Sequence, residues 1–168
     1  MDAKCTYKLF GSNEWQTINS FNNIQTDINI DYALICGDNT INNICVMPCN
    51  LTYISVRKCS EVKNICNFPK TIKTIHILYS KLEKLEKLPQ NLIYLNCANN
   101  NIKYIDNFPT SLESCICNNN YLLHLPVKSN FIKLHKICCG YIGYDSYSSN
   151  YNDNYCNVYS PNSSYYCG

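Results

Sequence analysis

The residues best suited by type to do chemistry are thiols and imidazoles late in the chain: Cys115, Cys117, Cys138 and Cys139, with His124 and His135 between them. Together they could hold a zinc ion. Structural zinc sites leave about two to four residues between paired cysteines, whereas Cys115 and Cys117 leave one and Cys138 and Cys139 leave none. No metal and no cofactor are therefore expected. The other chemistry open to a thiol is nucleophilic catalysis, which needs a partner base and an exposed site that stabilises the thiolate. Whether any cysteine meets that need depends on the elements that carry it.

The chain has 168 residues, with 13 Cys, 15 Tyr, 26 Asn, 19 Ile and 5 Gly. One domain is the prior at this length. Leu, Ile, Val and Phe together number 43, too many for wholesale disorder. A net charge of +2 excludes a strongly basic nucleic-acid binder as a first reading. The first thirty residues contain Asp2, Lys4, Lys8, Glu14 and Asp27 and no unbroken apolar run of signal-peptide length. Nothing later approaches the roughly 20 apolar residues of a spanning helix. A cytoplasmic protein with reduced thiols and no membrane or nucleic-acid partner is expected, and 13 cysteines cannot all pair within one chain.

The prolines give the organisation away. Pro48, Pro69, Pro89, Pro109 and Pro126 are spaced 21, 20, 20 and 17 residues apart. In the clearest copy, Pro89 is followed by apolar residues at three, six and eight places (Leu92, Leu95, Cys97), Asn100 at eleven, then Ile102, Ile105 and Phe108. The copy from Pro69 repeats this with Ile72, Ile75, Ile77, Ser80, Leu82, Leu85 and Leu88, and that from Pro109 with Leu112, Cys115, Cys117, Asn120 and Leu122. The copy from Pro48 has Leu51, Ile54 and Val56, then one extra residue before Val62, Ile65 and Phe68. Counting back gives a further unit with Leu34, Cys36, Asn39, Ile41, Ile44 and Met47, and Phe131, Leu134 and Cys139 suggest a degraded last one. Residues six and eight places after the Pro point into the core from a short strand, and those at five, seven and nine point out.

This pattern resembles the leucine-rich repeat family, and within it the short 20-residue subclass of secreted bacterial effectors. The resemblance implies a solenoid of the α/β horseshoe class, with short parallel strands on the concave face and mostly extended, polyproline or 3-10 convex segments. It further implies that Cys at the Asn position, as for Cys59 and Cys139, is a common substitute. Members of the subclass often carry a C-terminal ubiquitin-ligase domain with a nucleophilic Cys. About 29 residues follow Cys139, too few for one, and Cys156 precedes Asn157 and Val158 rather than an acid two places on. The enrichment in Asn, Tyr and Ile also resembles the coding bias of giant DNA viruses of amoebae, which would make the compartment a host cytoplasm.

Three outward columns follow from this register: Ala33, Tyr53, Thr74, Tyr94, Ser114 and Lys133; Ile35, Ser55, His76, Asn96, Ile116 and His135; Gly37, Arg57, Leu78, Ala98, Asn118 and Ile137. Tyr and Arg are enriched among interface hot spots, and exposed Ile and Leu invite a partner. The partner-binding residues are thus taken to be Tyr53, Ser55, Arg57, Thr74, His76, Leu78, Tyr94, Asn96, Ser114, Ile116 and Asn118. Outward strand positions also favour such residues for packing alone. His76 and His135 lie about 14 Å apart by strand spacing, too far for a catalytic pair. No catalytic constellation is found, and the run Lys81 to Leu88 reads as a solvated face whose leucines belong to the repeat.

The expected organisation is an N-terminal cap over 1–27, five to six repeats over 28–139, and a Tyr/Ser/Asn-rich low-complexity tail over 140–168. The expected function is non-enzymatic binding of a protein on the concave face. The alternative is a structural or self-assembling role, such as in a virion, carried by the tail.

Overall fold

The computed structural model describes residues 4–18, 29–106, 108–123, 133–134 and 136–139. The expected tail over 140–168 and the residues 19–28 lie outside these. The described residues form twelve strands: β1 (Lys4–Leu9), β2 (Trp15–Ile18), β3 (Ile30–Cys36), β4 (Asn43–Ile44), β5 (Tyr53–Arg57), β6 (Asn64–Ile65), β7 (Thr74–Leu78), β8 (Lys84–Leu85), β9 (Tyr94–Asn96), β10 (Tyr104–Ile105), β11 (Ser114–Ile116) and β12 (Lys136–Cys138). Eight of them make one sheet in the order β12-β11-β9-β7-β5-β3-β1-β2. From β3 to β12 every pairing in it is parallel. Each coil then crosses to the opposite side, where two-residue parallel pairs, β4 with β6 and β8 with β10, close it. The result is a β-solenoid of about five turns with no helix among the described residues. Where extended or 3-10 convex segments were expected, short parallel pairs stand instead.

Recurring residues make each coil. Pro48, Pro69, Pro89 and Pro109 each open a turn, their carbonyls accepting the N–H three residues on, from Leu51, Ile72, Leu92 and Leu112 at 3.0–3.3 Å. The strand then places alternate β-branched or apolar residues inward: Ile54 and Val56, Ile75 and Ile77, Leu95 and Cys97, Cys115 and Cys117. The corner after it takes a left-handed residue in every coil: Gly37, Lys58, Tyr79, Asn99 and Asn119, with φ from 53° to 67°. Gly and Asn adopt this conformation readily, whereas Lys58 and Tyr79 are held there at a cost on the order of 1 kcal/mol each.

The buried ladder position follows the corner. Asn100 Nδ2 donates to the carbonyls of Ile77 in the preceding coil and of Cys97 and Ala98 in its own, at 2.7–3.1 Å. Its Oδ1 accepts from the N–H of Leu82, again one coil back. Asn120 repeats the arrangement with the carbonyls of Cys97, Cys117 and Asn118 and the N–H of Ile102. Ser80 and Cys59 occupy the position in earlier coils: Ser80 bonds the carbonyl of Leu78, and Cys59 those of Arg57 and, in the preceding coil, Ile35.

The first coil departs from the expected register. Ala33 pairs with Ile54 and Ile35 with Val56, so Ala33 and Ile35 are in the core while Leu34 and Cys36 face outward. The cause is an extra residue that this coil shares with the next: Ile35 precedes Ile41 by six, as Val56 precedes Val62, whereas Ile77 precedes Leu82 by five. A slip of one residue exchanges the two faces of a strand. The ladder residue here is accordingly the buried Asp38, and Asn39, expected there, is exposed and accepts bonds from Ser60. At the other end Ser114 pairs with Lys136 and Ile116 with Cys138. Lys133 and His135 are therefore not the residues registered with Ser114 and Ile116, because the connection before β12 is three residues longer than assumed.

The N-terminal end of the sheet is closed by a hairpin. β1 runs antiparallel to both β2 and β3, and Cys5 fills the core beneath it. Among the described residues no helix is long and apolar enough to cross a membrane.

Candidate functional site

Two side-chain clusters carry functional interest, and the cysteines are the first. Cys115 and Cys117 point inward from β11, but Cys138 is registered with Ile116 and so lies on the other face of the sheet. The four-cysteine cluster considered for zinc is split by the pleat. No group of three or more metal-ligating side chains is assembled among the described residues; His124 and His135 lie outside them. Burial raises the Cys97 thiol well above its usual value, with Cys117 adding to the effect. A hydrogen bond with Cys117 and then burial do the same for Cys115. Burial pushes Cys5 up to about 12, the neighbouring Asp38 adding to it, and raises Cys59. These are packing thiols, used as small hydrophobes.

Two cysteines have a role the repeat pattern did not disclose. Cys45 and Cys66 form a disulfide between the first and second coils, with their Cα atoms 4.6 Å apart. Each follows the inward Ile of a two-residue strand, Ile44 and Ile65, and the 21-residue separation is the local coil length. That coincidence was the signal available in the sequence. Cys36 and Cys49 are the exposed free thiols among the described residues.

The second cluster is the outward face of the eight-stranded sheet. Register places Trp15, Lys8, Tyr32, Tyr53, Thr74, Tyr94, Ser114 and Lys136 in one row across the strands. Thr6, Leu34, Ser55, His76, Asn96, Ile116 and Cys138 form the next. Within the first row Thr74 is short, and the gap it leaves between Tyr53 and Tyr94 is filled by the imidazole of His76 from the adjoining row. Its ring centroid lies 5.4 Å from Tyr53 and 5.1 Å from Tyr94. Tyr53 meets Tyr32 at 5.4 Å, and Tyr32 meets Trp15 edge-on at 6.4 Å. Five rings thus run unbroken across the sheet, with Lys8 Nζ 5.6 Å above Tyr32. Such pairs contribute about 0.5–1.5 kcal/mol each beyond area burial.

The eleven expected binding residues fall into two groups. Arg57 is exposed, and Tyr53, Thr74, His76, Tyr94, Asn96, Ile116 and Asn118 are half-buried on the outward side. Ser55, Leu78 and Ser114 are buried, at 3%, 9% and 8% exposure. Leu78 is therefore not the open apolar contact expected of it. Sequence reasoning missed Tyr32, through the register slip, and Trp15, because antiparallel pairing lies outside the repeat.

His76 carries a pH signature. Burial, and then the charge of Arg57, hold its pKa below the ordinary 6.5, and its Nδ1 is buried without a hydrogen-bond partner among the described residues. Between the lowered folded value and about 6.5, the unfolded chain binds a proton that the folded chain refuses. The stability is fully present above that upper bound and falls as pH drops through the window. Urea titrations across the acid range should show this loss, and His76→Gln should flatten it.

Fold and site together define a class: a Pro-punctuated β-solenoid whose long-strand sheet carries a continuous aromatic row on its solvent side. No protein-family model matches the chain, and no curated protein matches it.

Proposed function

We propose that the chain is a non-enzymatic interaction module of the leucine-rich-repeat type, with the eight-stranded sheet as the concave face of a horseshoe and a protein as its partner. The observation that carries this reading is the aromatic row from Trp15 through Tyr32, Tyr53 and His76 to Tyr94. Rings already fixed by one another lose little conformational freedom on binding, which is what makes Tyr and Trp effective anchors. Arg57 adds an exposed guanidinium without an ion pair among the described residues, beside the row. His76 stacks between tyrosines and makes no hydrogen bond to a hydroxyl, thiol or carboxylate among the described residues, an arrangement suited to packing rather than to general-base work.

Replacing Tyr53, Arg57 and Tyr94 together by Ala is expected to abolish capture of a specific protein from a lysate, read by mass spectrometry. Tyr53 and Tyr94 make three of the four ring contacts of the row, so the thermal midpoint should also fall, and circular dichroism at a temperature below it shows that the variant is folded when capture is read. Capture that persists in the folded triple variant would sink the reading.

A further inference from the structure

We infer that this face selects an acidic peptide segment about nine residues long, an inference that rests on the binding reading above. The charged residues at described outward strand positions are Lys4, Lys8, Arg57 and Lys136, and no Asp or Glu stands among them. In a chain with 12 acidic residues against 14 basic ones this is segregation and not excess. Four of the described carboxylates are held elsewhere, and the exposed Glu14 stands just before β2. Asp38 is buried in the ladder and bonds Thr40, Asp31 accepts the Thr52 hydroxyl, and Glu61 and Glu86 pair with Lys81 and Lys84 away from this face. Glu113 stands at the rim, one residue before Ser114. Lys8, Arg57 and Lys136 have no carboxylate partner among the described residues, so each is free to meet one from outside.

Their placement sets the length. From β1, carrying Lys8, to β12, carrying Lys136, there are six strand spacings, about 29 Å at roughly 4.8 Å each. An extended peptide covers that distance with about nine residues at roughly 3.3 Å apiece. Arg57 lies two spacings from Lys8 across the sheet but four residues along β5 from Tyr53, its strand's member of the Lys8–Lys136 row, about 13 Å to one side at roughly 3.3 Å per residue. The segment thus carries acids near both ends and a Glu inside whose side chain reaches sideways toward the Arg57 guanidinium, with apolar or aromatic residues meeting the ring row.

The rings also favour a peptide over an anionic polysaccharide. His76 is tilted by only 30–39° to Tyr53 and Tyr94, with centroids within 5.4 Å, so the ring faces lie against each other. A sugar stacks on an open ring face. From Tyr53 to Tyr94 the row turns ring faces to one another, leaving edges for a peptide side chain and backbone, while Trp15 meets Tyr32 edge-on and is exposed.

The test is selection of random displayed peptides on the full chain, on Arg57→Glu, and on Tyr53→Ala/Tyr94→Ala, with folding of each checked by circular dichroism. The wild-type pool should be acidic, and its best peptide should weaken about tenfold or more against Arg57→Glu and in an analogue with Asn and Gln for its acids. Affinity should also fall as salt rises. A neutral or basic pool that is lost on Tyr53→Ala/Tyr94→Ala would overturn acid selection and leave the binding face standing. Peptides indifferent to that double variant would overturn both. Retention on a sulfated polysaccharide with no peptide enriched would overturn the peptide as occupant.

Discussion

Asn100→Ala lowers the free energy of unfolding by about 3 kcal/mol or more, since it leaves buried backbone groups without partners at about 1–3 kcal/mol each. The groups are named by the ladder: the carbonyls of Ile77 and Ala98 lose this donor, that of Cys97 keeps only Asn120 Nδ2, and the Leu82 N–H loses its acceptor. Two of the four belong to the preceding coil, so the loss falls on the interface between coils, which is where a solenoid holds its stability. Asn100→Asp does no better, because it turns a carboxylate oxygen toward three carbonyl oxygens. The neighbouring Asn101→Ala changes stability by less than about 0.5 kcal/mol. Urea unfolding of the three variants checks the order, and equal midpoints for Asn100→Ala and Asn101→Ala would remove the ladder from the account of stability.

Reduction of the Cys45–Cys66 bridge is the second large effect. It closes a 21-residue separation, for which chain entropy gives about 3 kcal/mol. Cys45→Ser/Cys66→Ser should unfold at lower urea than the wild type and be indifferent to reductant. Reduced wild type should fall to the level of the double variant. A wild-type midpoint unmoved by reductant would show that the bridge contributes nothing. The bridge ties the first coil, which also abuts the antiparallel hairpin, to the second, so its loss should loosen the N-terminal end first. The bridge also runs against the expectation from sequence that all the thiols are reduced.

The parallel coils were legible because four features recur in phase: the Pro that opens the turn, the inward apolar set, the polar ladder residue and the period. Ile72, Ile75, Ile77, Leu82 and Leu85, expected in the core, are all fully buried. Coil one was misread by a single residue, and that sufficed to exchange Leu34 and Cys36 for Ala33 and Ile35, since strand periodicity has no tolerance for an odd slip. β12 was misplaced for a related reason: a lengthened connection leaves no phase to count from. Within the candidate site, Tyr53 and Tyr94 could be read directly. The part of His76 could not, because it depends on a short residue, Thr74, in a different row. Burial of Ser55, Leu78 and Ser114 on a nominally outward face likewise could not be read, because strand alternation gives the side a residue takes and not how much of it is covered.

The left-handed corners have a consequence for how such a chain can change. Because Gly37, Lys58, Tyr79, Asn99 and Asn119 hold the same backbone state in successive coils, any two of them are interchangeable joints. Recombination that joins one corner to the next duplicates or deletes a whole coil in phase: 21 residues between the first three corners, 20 between the later ones. A crossover anywhere else keeps phase only by the same arithmetic. The molecule can therefore grow or shrink by one strand at a time, about 4.8 Å of sheet per event. Its size is inherited as a whole number.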